Sequence, residues 1–188
     1  MFSIRSKNKY KEVIPEIYQN IIERSRSKFF YLNVDIDDSF ESRFDIIILH
    51  SFIIFYFLKN ISDGEKELSQ SLFDFMFDDF DNNLREMGFG DIAVNKKMKV
   101  FITAFYGRIA NYSKGVDQIK NNLNEEILIQ AILNNIYKGK VANTQYLKFF
   151  KEYILGNLDF FSSRNLKINI NERFRFIDFP LEEKIHER

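Results

Sequence analysis

The run IIILHSFIIFYFL, Ile46 to Leu58, limits what this chain can fold into more than any other stretch. Its roughly thirteen uncharged residues span about 20 Å as a helix. A bilayer's hydrocarbon core is about 30 Å thick, so the run is short for a crossing. Asp45 and Lys59 bracket it. A helix that is apolar nearly all round has to be enclosed by other elements of its own fold. Ser39 is placed to cap this central helix, which carries FDIIILHSFIIFYFLKN to about Asn60.

The rest of the chain supplies a helical shell. Pro15 suits a first helical turn, where its missing N–H costs nothing. Ile14, Ile17, Ile21 and Ile22, with Tyr18, follow helical spacing to about Ser25. KFFYLNVDIDD reads as an extended connector and SDGEKE as a turn. A further helix runs from about Glu65 to Met87, with Phe73, Met76, Phe77, Phe80, Leu84 and Met87 on one face. Asp74, Asp78 and Asp81 line another face, and Arg85 can pair with Asp81 at i,i+4. Gly88 fits the left-handed residue that closes a helix. Gly90 gives a second joint, and Asp91 or Asn95 can cap the next helix.

That helix carries MKVFITAFYGRIANY, with Val100, Ile102, Phe105, Ile109 and Tyr112 as expected core. Gly107 interrupts it at a cost of about 1 kcal/mol relative to Ala, which points to close approach of another helix or of a ligand segment. Gly115 to Asn122 reads as a loop. EEILIQAILNNIY and then about Asn143 to Phe161 are the last two helices. RFRFIDF alternates with period two, an extended segment stopped by Pro180. With only 2 prolines and 7 glycines, the reading is all-α. It is a single domain over residues 1–188, of about six helices with a short extended C-terminal segment. Residues 1–12 form a basic tail and 181–188 a second tail.

Composition removes several function classes. Lys and Arg total 27, against 27 Asp and Glu, so no global field favours nucleic acid. Without cysteine there are no disulfides, zinc-thiolate or iron–sulfur sites. The 2 histidines, His50 and His186, lie far apart and supply metal or acid–base chemistry poorly. Asp74, Asp78, Asp79 and Asp81 lack the Glu-x-x-His pairs of a carboxylate-bridged metal site. They read first as a solvated acidic face and second as a protein-binding one. His50 reads as a neutral core histidine bonded to a neighbouring helix, with ligation or binding as the alternative. No cofactor or catalytic residue is expected.

Lys96 and Lys97 pose a question, because cations near a helix start cost about 0.3–1 kcal/mol. If the glycine joint folds the two helices back on each other, they could pair with Asp78, Asp81 or Glu86. Alternatively they are kept for an outside partner, and the residues alone leave both readings open. The opening MFSIRSKNKYKE is basic without an apolar h-region, so a cytoplasmic location is expected. Arg5, Lys7, Lys9 and Lys11 read as a solvated tail. Peripheral contact with an anionic membrane surface is the second option.

One series of motifs is specific. LFDFMFDDFDNNLREMGFGDIAVNKKMKVFITAFYGRIANY, Leu72 to Tyr112, resembles the central signature of the ubiquinol–cytochrome c chaperone family. RFDIIILHSF, Arg43 to Phe52, is similar to that family's preceding block, and YLKFFKEYI with RFRFIDFP to its ending. The first forty residues match no motif, and the missing targeting extension makes the chain resemble a bacterial member. The resemblance implies a non-enzymatic assembly factor for respiratory complex III that binds newly made cytochrome b. A small partner protein or the ribosome are possible further partners. A helical interaction module for another membrane-protein or ribosomal partner is the rival reading. The polar residues of the matched motifs are the expected contacts: His50, Asp78, Asp79, Arg85, Glu86, Asp91, Lys96, Lys97, Tyr106 and Arg108. Met87, Phe105 and Tyr112 are expected to pack.

Overall fold

The computed structural model describes residues 10–61, 65–163 and 174–179. Helix α1 (Val13–Ser25) leads through a single turn, α2 (Phe29–Leu32), into α3 (Phe40–Lys59). Then come α4 (Glu65–Glu86), α5 (Asp91–Lys120), α6 (Glu126–Ile136) and α7 (Thr144–Ser163). The fold is all-α, and α3 is its axis: α1, α4, α5, α6 and α7 all pack against it. Ile46, Ile48, Leu49, Phe52, Ile53 and Ile54 are fully enclosed. Ser39 caps α3 as its residue type demands, its hydroxyl accepting from the Ser42 N–H at 3.2 Å.

Five sequence expectations are corrected. The connector after α1 is not wholly extended, because Phe29 and Phe30 are both buried. Successive side chains of a strand point to opposite faces, whereas the turn α2 sends both rings inward. Residues 10–12 are not tail: Tyr10 is buried and its carbonyl accepts from Val13 and Ile14 N–H at 3.1 and 3.0 Å. The stretch from Gly115 is not a loop but the last turns of α5, which runs on to Lys120. There Gly115 is the close approach, since a Cβ on it would lie 2.6 Å from Leu128 Cα in α6. No helix takes that place at Gly107, where a Cβ would meet no described residue within 4 Å, and Val100, expected in the core, is 59% exposed.

Segment 174–179 returns across α1 and α7. Phe174 and Phe176 are buried while Arg175 is exposed, the alternation read from the sequence. The Ile177 N–H donates to Asn157 Oδ1 at 3.0 Å, and Arg24 Nη2 donates to the Phe176 carbonyl at 3.0 Å. Among the described residues no strand pairing forms. The basic residues Arg5, Lys7 and Lys9, the first half of the SDGEKE turn (62–64), Pro180 and the 181–188 tail lie outside the described residues.

Candidate functional site: the helix elbow and its groove

Helices α4 and α5 fold back on each other through Gly88, Phe89 and Gly90. Gly88 has φ +89°, a conformation only glycine adopts without strain. Its N–H donates to the Arg85 carbonyl at 2.9 Å, and the Phe89 N–H to the Leu84 carbonyl at 3.2 Å. This is the Schellman closure, which satisfies carbonyls the helix end leaves orphaned. Gly90, not Asp91 or Asn95, is the N-cap of α5, and no side chain supplies the cap bond.

That frees the Asp91 carboxylate for another role. Arg85 Nε donates to Asp81 Oδ1 at 2.5 Å, and its Nη1 donates to Asp91 Oδ1. One guanidinium therefore ties the last turn of α4 to the first turn of α5. Bonding to Asp81 and then Asp91 pushes the Arg85 pKa upward. Asp91 also sits where the helix dipole favours an anion.

The lysine question has a geometric answer. Because α5 starts at Asp91, Lys96 and Lys97 lie in its second turn, beyond the dipole's short reach. Of the two open readings the pairing falls: among the described residues neither lysine forms an ion pair with a carboxylate. Lys97 Nζ instead lies 4.7 Å from the Phe89 ring centroid, a cation–π contact that packs it onto the elbow. Lys96 is exposed.

The aromatic residues of α4 and α5 mostly fill the seam between the helices. Phe73 and Phe77 sit 4.4 Å apart, and both lie 5.4 Å from Phe105. Only the edges open out: Tyr106 is 56% exposed while stacked on Phe73. Phe105 and Tyr112 pack as expected, but Met87 does not, being 62% exposed.

Beside the elbow lies a groove of about 210 Å³, bounded by α1, α3, α4 and α5. Ile22, Phe44, Ile47, Phe80, Leu84 and Phe101 make its floor; Arg26, Arg43 and Asp79 give it charge, and Phe40 and Met87 stand at its lip. Tyr18 donates to Asp79 Oδ2 at 2.7 Å, and burial followed by that bond raises the tyrosine's pKa. Of the expected contact residues, Arg85, Glu86 and Asp91 share the elbow with Lys97, and Asp79 reaches the groove. Asp78, Lys96 and Tyr106 lie on outer helix faces.

Two others point inward. His50 has no exposed surface. Its Nδ1 donates to the Ile46 carbonyl at 2.8 Å and faces Ser25 Oγ at 3.0 Å; its Nε2 accepts from the Tyr153 hydroxyl at 3.0 Å. Phe30 and Phe176 flank the ring edge-on. Burial lowers its pKa to about 3. An unfolded chain would protonate this histidine near pH 6.5 and the folded one far below. Its contribution to stability is complete above pH 6.5 and is lost as pH falls toward the folded value. Urea denaturation below pH 6.5 should show a loss that steepens to about 1.4 kcal/mol per pH unit by pH 5 from this group. A His50→Gln variant should lack that part of the slope, and an unchanged slope would place the titration elsewhere.

Arg108 also faces inward, its Nη2 2.6 Å from Oδ1 of Asp45 on α3. The Lys138 ammonium meets Oδ2 of the same carboxylate, which is 1% exposed. Burial lowers the pKa of both cations. Lys138 holds φ +56° and is followed by Gly139 at +72°, so two consecutive left-handed residues end α6 and aim that ammonium. Sequence reasoning treats Asp45 only as the edge of the apolar run, and Lys138 not at all. The available signal is a carboxylate on a helix that has no polar face.

Among the described residues no group of three or more His, Cys, Asp or Glu is placed to hold a metal ion, and no helix is long and apolar enough to cross a membrane. The scaffold is thus an all-helical body with an ion-tied elbow and an open apolar groove. Residues 32–167 match the sequence profile described as "Ubiquinol-cytochrome C chaperone", and the chain belongs to that family.

The mouse and human proteins called ubiquinol-cytochrome c reductase complex assembly factor 1 are each 24% identical to it over 160 residues. The matched regions cover 85% of this chain and 52% of theirs. The chain thus spans about half the length of these curated relatives. The crystal structure of the Cbp3 homolog from Brucella abortus superposes with a TM-score of 0.75 at 25% identity. It covers 89% of this chain and 90% of that one.

Proposed function

We propose that this protein is a non-enzymatic assembly factor that holds newly made cytochrome b during assembly of ubiquinol–cytochrome c reductase. The observation that carries the reading is the open groove beside the elbow, on a member of this family. A chaperone has to cover an apolar, half-folded segment reversibly. An aromatic floor with Met87 and Phe40 at the lip adapts to such a segment. Charges at the rim, Arg26, Arg43 and Asp79, set register and encounter rate more than affinity. The elbow residues Arg85, Glu86, Asp91 and Lys97, with Asp78, Lys96 and Tyr106 beyond them, extend the contact surface. His50 and Arg108 act in this reading only by holding the helices that shape it. The protein works in the cytoplasm or against the cytoplasmic face of the inner membrane.

The test is capture of pulse-labelled cytochrome b by the tagged protein. Wild type should retain it, and Lys96→Glu with Lys97→Glu should lower capture about tenfold while circular dichroism still reports a folded helical protein. A folded double variant with undiminished capture would remove the lysines from the contact surface. Retention of some other membrane or ribosomal protein without cytochrome b would defeat the chaperone reading itself.

A further inference from the structure

Helix α5 carries a feature that the groove does not use. Between Asp91 and Asp117 it has no acidic residue, while Lys96, Lys97, Lys99, Arg108 and Lys114 all fall in that interval. Both bounding carboxylates are engaged by the fold: Asp91 by Arg85, and Asp117 by the Tyr56 hydroxyl at 2.7 Å. Ile92, Lys96, Lys99, Thr103, Gly107, Ala110 and Lys114 recur at helical spacing and are all exposed. Lys96, Lys99 and Lys114 form no ion pair among the described residues.

The same face shows apolar side chains that the core does not need. Ile92 is 87% exposed, Val100 59% and Tyr106 56%. A Cβ on Gly107 would meet none of the described residues within 4 Å, so none of them covers the helix at that point. The helix has 30 residues and is therefore about 45 Å long.

We infer that the acid-free outer face of α5 rests on an anionic lipid surface. Exposed apolar side chains interleaved with lysines, on a helix lying in the interface plane, are the physical signature of such contact. Lysine stems lie along the acyl boundary while their ammonium groups stay at the phosphates, and a tyrosine ring suits headgroup depth. A nucleic acid would use the lysines but leave Ile92 and Val100 in water. A protein partner would have to present an acidic face along the whole length of α5. This inference stands on the charge pattern and exposure of α5; its test variants, at Ile92, Lys99, Val100 and Lys114, alter residues the client reading does not use.

The test is sedimentation of the purified full chain with vesicles of phosphatidylcholine alone or mixed with phosphatidylglycerol. The protein should partition onto the anionic vesicles only, and less at high salt. Each lysine near the surface accounts for about a fivefold change in partitioning. Lys99→Glu with Lys114→Glu should therefore cut binding at least 25-fold. Ile92→Ser with Val100→Ser should weaken it at unchanged charge. The inference is overturned if the wild type ignores anionic vesicles, if both double variants bind as the wild type does, or if neutralising Arg5, Lys7 and Lys9 alone abolishes binding. Because no client is present, any of these outcomes leaves the capture of cytochrome b to be decided by its own experiment.

Discussion

Replacing Asp45 with Asn should destabilise the fold by about 3–5 kcal/mol, the range for removing one partner of a buried ion pair. The carboxylate is 1% exposed and carries two cations, Arg108 at 2.6 Å and Lys138 on its other oxygen. Asn keeps its shape, so the loss is of charge and not of packing. Arg108, whose side chain is 21% exposed, would be left largely uncompensated. The ion pairs join three helices, α3 through Asp45, α5 through Arg108 and the end of α6 through Lys138. Removing the anion should therefore loosen α5 and α6 together against α3. Lys138 is 37% exposed and can turn its ammonium to water. A Lys138→Asn variant, which tolerates the left-handed backbone, should cost about 1 kcal/mol or less. Urea denaturation of the two variants checks the asymmetry. Equal losses, or an Asp45→Asn variant as stable as wild type, would mean that the carboxylate is solvated in solution.

Asp45 also marks where sequence reasoning reaches its limit. Everything governed by local periodicity is readable. The all-apolar run has to be central, and it is enclosed by five other helices. The Gly88 stop, the Arg85–Asp81 pair and the Ser39 cap are contacts within five residues along the chain, so spacing alone locates them. The failures concern partners distant in sequence. Spacing sets Lys96 and Lys97 opposite the acids of α4, but helix phase sends Lys97 onto Phe89 and leaves Lys96 in water. Asp45 and Lys138 meet only because α6 ends in two left-handed residues, which no apolar periodicity encodes. The groove is not legible either, since its walls come from four helices and its shape depends on how they cross. The family motifs span the elbow, but they group Arg108, which pairs with the buried Asp45, with Lys97, which packs on the Phe89 ring.

The same substitution in one helix should produce opposite results at Gly115 and Gly107. Helix propensity favours Ala over Gly by about 1 kcal/mol at either position. At Gly107 nothing opposes it, because an added methyl would meet open space. Gly107→Ala should stabilise the protein by about 0.5–1 kcal/mol, raising Tm by about 1–4 °C. At Gly115 the methyl would lie 2.6 Å from Leu128 Cα and 2.7 Å from its backbone N. Those are backbone atoms, so no rotamer change relieves the contact, and α5 has to move away from α6. Overpacking of this kind costs about 1–3 kcal/mol and sometimes more. The α5–α6 hairpin is the most extensive helix pair in the fold, which puts the expected net cost for Ala near ~2 kcal/mol and for Val above ~3 kcal/mol. The Tm of Gly115→Ala should fall by about 4–8 °C. Paired thermal melts decide the matter, because propensity alone predicts that both variants rise. A rise at Gly115 would show that the two helices sit farther apart in solution, and Lys138 would then lose its hold on Asp45.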